Sequence, residues 1–154
     1  MSQALSLVDG ALASEAGWGF LSYGQTVKPP VRIEFDLLTG KGSMAGAYLC
    51  PKGLAWRNFW GNEAGRGYCL SLGWHDAKNN RVLRDTATVL LDAKGPRPES
   101  GKVCHVAVQF VPPRCQLYMD GKMVLDYTDP AFLPELDQLG VFPLGGHRFD
   151  NVRI

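Results

Sequence analysis

Two carboxylates stand first among the groups in this chain that could do chemistry. Glu34 and Asp36 lie two residues apart in VRIEFDLL, and strand alternation puts both on one face. Retaining glycoside hydrolysis needs two carboxyls about 5 Å apart, one as nucleophile and one as acid. The stretch Pro51 to Gly67, PKGLAWRNFWGNEAGRG, offers different chemistry. Trp56 and Trp60 present flat apolar surfaces on which the C–H face of a sugar ring can stack. Arg57, Asn58, Asn62 and Glu63 supply planar hydrogen-bonding groups for its hydroxyls. The same aromatics, with Phe59, could instead cap a core, as large rings often do. Arg57, Asn58 and Asn62 would then need partners in a dry interior. Trp74-His75-Asp76 sets an imidazole beside a carboxylate, a pair suited to metal binding or acid–base work. As sequence neighbours on a strand they would point to opposite faces.

Other chemistries find less support. Cys50, Cys69, Cys104 and Cys115 contain no C-x-x-C pair, so a zinc ribbon is not indicated. Cys50 and Cys69 flank one loop and could be bridged in an oxidising compartment; the other reading is four small, partly buried free thiols. His75, His105 and His147 lack a zinc-ligand spacing. No G-x-S-x-G elbow is present, and no glycine-rich phosphate loop precedes a helix. Calcium could be held by Asp and Asn loop oxygens, but no D-x-D-x-D run supports it. No catalytic set, metal site or cofactor is assigned.

The elements that must position these groups are short strands. Val31, Ile33, Phe35 and Leu37 alternate with Arg32, Glu34 and Asp36, and Met44 to Cys50 and Tyr68 to Trp74 read as further strands. Tyr68, Leu70, Leu72 and Trp74 share a face. The clearest organisation is Cys104 to Asp129, a three-stranded meander. Val106, Val108 and Phe110 form one face, Pro112-Pro113 stops the ladder, and Leu117 and Met119 resume it. Asp120-Gly121 then makes a tight hairpin, after which Met123, Leu125 and Tyr127 share a face. Leu5 to Leu12 reads as a small hairpin turning at Asp9-Gly10, and Asn79-Asn80 suits another turn. Pro130 to Gln138 is expected to form one short helical turn, with last strands at Leu139 to Phe142 and Phe149 to Ile154. Ten to twelve short strands without a long amphipathic helix make an all-β sandwich or barrel.

The chain has 154 residues, 45% apolar and 20% charged, which suits one domain over 1–154. A net charge of +1 argues against duplex DNA or an anionic membrane as partner. No apolar run approaches the roughly 18 residues of a membrane span. The N-terminus has no basic region followed by an apolar core, so it does not read as a signal peptide. A full-length protein with this start would be cytoplasmic by default. The abrupt end at Ile154, inside an apparent strand, also fits a domain cut from a longer, exported protein.

VRIEFDLLTG, GYCLSLGWHDAKNNRVLRD, VCHVAVQFVPPRCQLYMDGKMVLDYTD and LGVFPLGGHRFDNVRI, in that order, resemble the concanavalin A-like lectin/glucanase superfamily. The likeness rests on the Asp120-Gly121-Lys122 hairpin, the His105 to Phe110 strand and the terminal Phe149 to Ile154. It implies a two-sheet antiparallel jelly-roll sandwich with one concave sheet, whose face or rim loops hold carbohydrate in many members. The superfamily's retaining glucanases carry a third carboxylate after E-x-D. Here Leu38 and Thr39 occupy its two places, so Glu34 and Asp36 are not expected to form a catalytic pair. The expected function is a non-catalytic carbohydrate-binding module. Its ligand would meet Trp56, Arg57, Asn58, Trp60 and Asn62, with Trp74, His75, Asp76 and Arg32 nearby. A glycan-processing hydrolase and a structural or protein-interaction sandwich remain as alternatives, and the oligomeric state stays open.

Overall fold

The computed structural model describes residues 6–8, 11–13, 21–40, 44–51, 66–73, 79–85, 88–144 and 146–154. Their regular structure is entirely strand: β1 (Ser6–Val8), β2 (Ala11–Ala13), β3 (Leu21–Ser22), β4 (Val31–Leu38), β5 (Met44–Cys50), β6 (Tyr68–Leu72), β7 (Asn80–Arg84), β8 (Thr88–Ala93), β9 (Val103–Val111), β10 (Arg114–Met119), β11 (Lys122–Thr128), β12 (Gln138–Leu144) and β13 (Arg148–Arg153). They form two antiparallel sheets, a seven-stranded one ordered β1-β2-β13-β4-β9-β10-β11 and a six-stranded one ordered β3-β12-β5-β6-β7-β8. The chain is the all-β jelly-roll sandwich expected. Among the described residues no helix is long and apolar enough to cross a membrane.

The inward faces follow from alternation. Ile33, Phe35 and Leu37 of β4 and Val106, Val108 and Phe110 of β9 are buried against Ala45, Ala47 and Leu49 of β5 and Tyr68, Leu70 and Leu72 of β6. Register places Val31 opposite Phe110 and Leu37 opposite Cys104, so both apolar sets fall on the same side. Phe35 packs on Phe149 of β13 with ring centroids 5.0 Å apart. The Asp120-Gly121 hairpin is as its residues require: φ is 50° at Asp120 and 75° at Gly121. β1 pairs with β2 as an antiparallel hairpin, with Asp9-Gly10 outside the described residues.

Three expectations change. Met123 does not share the face of Leu125: a register shift between Leu117 and Tyr118 sets it opposite Tyr118, on the outer face, 54% exposed. One extra residue in a bulge inverts every side chain beyond it. Asn80 is not a turn residue; it opens β7 and is fully buried, where its amide crosslinks two segments. Residues 130–137 hold one hydrogen-bonded turn, Phe132 N donating to Asp129 O at 3.1 Å, but no helix, and run irregularly into β12. There Asp129 accepts from the Ala131 amide, a side-chain turn that competes with helix.

The six-stranded sheet is buried on both faces along its inner strands β5 and β6, while its edge strand β8 is largely exposed. Its outer side carries a second apolar cluster of Met44, Tyr48, Cys50, Cys69, Leu83 and Phe142. The sequences MAGAYLC and YCLSL are near-continuous apolar runs, the signature of a strand with no wet side.

Candidate functional site

The seven-stranded sheet turns its polar residues outward, and register aligns them into a row. Arg32 lies opposite Gln109 and Asp36 opposite His105. Gln116 lies between Gln109 and Asp126. Arg32 donates through one guanidinium nitrogen to Gln109 Oε1 at 3.1 Å. The Gln109 amide donates to Gln116 Oε1, and Gln116 donates to Asp126 Oδ1 at 3.1 Å. Arg114 closes the far end by donating to Asp126 at 3.2 Å. Each amide thus accepts on one side and donates on the other, in a chain running from cation to anion. Tyr118 lies under Arg32, with the guanidinium carbon 5.6 Å from its ring centroid.

Glu34 and Asp36 belong to the same face. Glu34 accepts from Arg32, and its Oε2 is 3.7 Å from His105 Nε2. Asp36 Oδ1 lies 2.9 Å from His105 Nδ1, and its Oδ2 accepts from Asn151 at 2.7 Å. Asn151 reaches it from β13, where its φ of 51° marks an irregular register. The Arg32 hydrogen bond, with the charges of Arg32, His105 and Arg153, holds the Glu34 pKa below its usual value. The Asn151 and His105 hydrogen bonds do the same for Asp36. A general acid for glycoside cleavage needs the opposite shift.

Of the residues expected to meet a ligand, only Arg32 is described. Trp56, Arg57, Asn58, Trp60, Asn62, Trp74, His75 and Asp76 lie outside the described residues. Their attachment points are described. The 52–65 connection leaves the end of β5 and enters the start of β6; the 74–78 connection leaves the other end of β6. Arg32 projects from the outer face of the opposite sheet, among Glu34, Gln109 and Tyr118.

The outer face of the six-stranded sheet lies between those two attachments. Ser22 Oγ and Tyr48 OH share a hydrogen bond of 2.6 Å. Arg81 pairs with Asp92 at 3.0 Å. All four cysteines are free and buried, so Cys50 and Cys69 are not bridged. Burial pushes the Cys50, Cys104 and Cys115 thiols up to about 12, and raises Cys69 as well. They are protonated at neutral pH and so poor nucleophiles. Among the described residues no group of three or more His, Cys, Asp and Glu is placed to hold a metal ion.

One further concavity went unread in the sequence. Leu37, Thr39, Met44, Leu72, Arg97, Pro98 and His147 converge at the end of the sandwich where β4, β6 and β8 finish. They come from three strands and several connections far apart in the chain, and no local pattern joins them.

No protein-family model matches this sequence, and the search of curated proteins returns no match. Solved structures do match. The carbohydrate-binding module CBM66 from Bacillus subtilis aligns at 20% identity, over 92% of this chain and 83% of that one, with a TM-score of 0.59. The metal-free Emp46p carbohydrate recognition domain aligns at 12% identity, over 94% and 81%, with a TM-score of 0.68. A Bacillus subtilis protein of unknown function with a galectin-like fold aligns at 9% identity, over 96% and 83%, with a TM-score of 0.71. At these identities the likeness is one of fold.

Proposed function

We propose that this chain is a non-catalytic carbohydrate-binding module of the concanavalin A-like lectin/glucanase superfamily. The observation that carries the reading is the likeness of nearly the whole sandwich to domains described as binding or recognising carbohydrate. The 52–65 connection adds residues of the right chemistry, two indoles for stacking and Arg57, Asn58 and Asn62 for hydroxyls. In this reading 52–65 forms one wall of a groove and Trp74, His75 and Asp76 the other. Arg32, on the other sheet, stands outside it.

Trp60→Ala is expected to weaken glycan binding by about 1–3 kcal/mol, the scale of burying a large apolar side chain, and to leave the thermal midpoint nearly unchanged. A glycan array followed by calorimetry on the best hit checks this. A large fall in midpoint with no glycan bound would assign the ring to the core instead.

The lowered carboxyls of Glu34 and Asp36 support the absence of glycosidase chemistry at that strand. The purified chain is expected to release no reducing ends from β-glucans. Cleavage that disappears in a folded Glu34→Gln variant would overturn this reading.

A further inference from the structure

We infer that the carbohydrate taken by this chain is N-acetylated, and that a cleft at the root of the 52–65 connection holds its acetamido group. This rests on the carbohydrate-binding reading above and names the class of sugar. The cleft is lined by Pro51, Arg66, Leu133, Pro134, Glu135 and Leu136. Pro51 and Arg66 flank the 52–65 connection, so the cleft opens where that connection leaves β5 and returns toward β6. Its volume is about 270 Å³, just under the roughly 300 Å³ at which small-molecule sites begin. It therefore suits one substituent of a larger ligand rather than a whole one.

The surface open to a ligand is an apolar wall between two opposite charges. Pro134 is exposed, and Pro51 and Leu133 are half-buried; Leu136 is 2% exposed and only anchors the wall. Arg66 and Glu135 are both exposed. Neither has a hydrogen-bond or ion-pair partner among the described residues, and they are not paired with each other. A carboxylate ligand would be repelled by Glu135, and an ammonium by Arg66. A neutral group that both donates and accepts meets the two charges favourably. A hydroxyl does so through a single atom and brings no apolar surface. An acetamide carries its N–H and C=O on opposite edges and ends in a methyl. Its carbonyl would accept from the Arg66 guanidinium, and its N–H would donate to the Glu135 carboxylate. Its methyl would cover Pro51, Leu133 and Pro134.

Both walls are fixed before any ligand arrives. The Leu133 amide donates to Tyr68 OH at 3.2 Å, and Phe132 stacks on the Tyr68 ring at 4.7 Å. The Asp137 amide donates to the Cys50 carbonyl at 3.1 Å, which ties this wall to the residue before Pro51. Gly67, next to Arg66, donates to Asp85 Oδ1 at 3.3 Å and accepts from the Asp85 amide at 3.0 Å. A site whose walls are set in advance loses little freedom on binding.

Triacetylchitotriose and cellotriose are the probes, one backbone with and without acetamido groups, titrated into the 15N-labelled chain. Triacetylchitotriose is expected to shift the Arg66, Gly67 and Glu135 amides saturably. Cellotriose should bind at least about tenfold more weakly, since it lacks the hydrogen bonds to both charged groups. Arg66→Ala and Glu135→Ala should each lower the affinity for triacetylchitotriose toward that for cellotriose. Cellotriose binding and the thermal midpoint should stay unchanged, because both side chains are exposed and unpaired. Equal affinity for the two trimers would overturn the assignment, as would an acetyl preference that survives both substitutions. Shifts that avoid those three amides would overturn it as well. Trp60→Ala reads the aromatic wall separately: a glycan that depends on Trp60 but shows no acetyl preference sinks this inference and leaves the carbohydrate reading standing. Failure of both trimers and of every array glycan to bind would overturn both.

Discussion

Phe110→Ala is expected to lower the unfolding free energy by about 3–5 kcal/mol, the cost of lost burial plus the cavity left behind. Phe110 is fully buried between the sheets and sits opposite Val31 and Cys115. β4 and β10 flank it and are themselves paired into the ladder, so neither can close on the space without breaking register. Val111, the next residue, is 42% exposed and serves as the control; Val111→Ala should change stability by under about 1 kcal/mol. Urea unfolding of both variants checks the pair. Equal midpoints for Phe110→Ala and the parent would show that this face does not form the core.

Asp129→Ala should be comparably damaging, about 3–5 kcal/mol, the range for removing one partner of a buried charge pair. Asp129 is 3% exposed at the end of β11. Its carboxylate accepts from Tyr68 OH at 2.7 Å, Arg84 at 2.9 Å and the Ala131 amide at 2.9 Å. Tyr68 accepts in turn from the Leu133 amide and stacks on Phe132 at 4.7 Å. One anion therefore fixes the 129–133 segment against β6 and β7. Burial raises the Asp129 pKa, but the hydrogen bonds from Tyr68, Ala131 and Arg84 outweigh it and hold the carboxyl below 3.8. A folded-state pKa below the unfolded one means stabilisation that is complete above the ordinary carboxyl range and is lost as pH falls through the lowered value. The stability gap between parent and Asp129→Ala should thus be constant near neutrality and narrow below about pH 4. A gap that stays constant on acidification would show that the charge of Asp129 is not what stabilises the turn.

Much of this architecture was legible residue by residue. β4 and β5 begin and end where Pro29-Pro30, the glycines of TGKGS and Pro51 place them. The β9–β10–β11 meander follows from alternation, two prolines and Asp-Gly. The inward set of β4 and that of β9 were readable before any pairing was known. The outer face of the six-stranded sheet was not. MAGAYLC looks the same whether one side or both are covered, since Ala, Gly and Cys carry no polar mark. The bulge that exposes Met123 was also hidden, because an inserted residue leaves the composition of a strand unchanged.

The candidate sites divide along the same line. Glu34 and Asp36 were visible as a same-face pair, and Glu34 is lowered first by Arg32 of its own strand, but Asp36 is lowered by Asn151 and His105, which come from β13 and β9. Asn80 looked like a turn former, and only the approach of Gly73 and Pro96 made it a buried crosslink. Thr39 and Arg97 carry no shared pattern in the sequence. What the sequence determined by itself was periodicity, punctuation and hairpins, because these are set by residues within a few positions of one another. The order of strands in the sheets, the burial of a second face and the meeting of Thr39 with Arg97 at one cleft were decided only by the tertiary structure. They depend on register between strands dozens of residues apart, and a single-residue shift would turn each side chain to the other face.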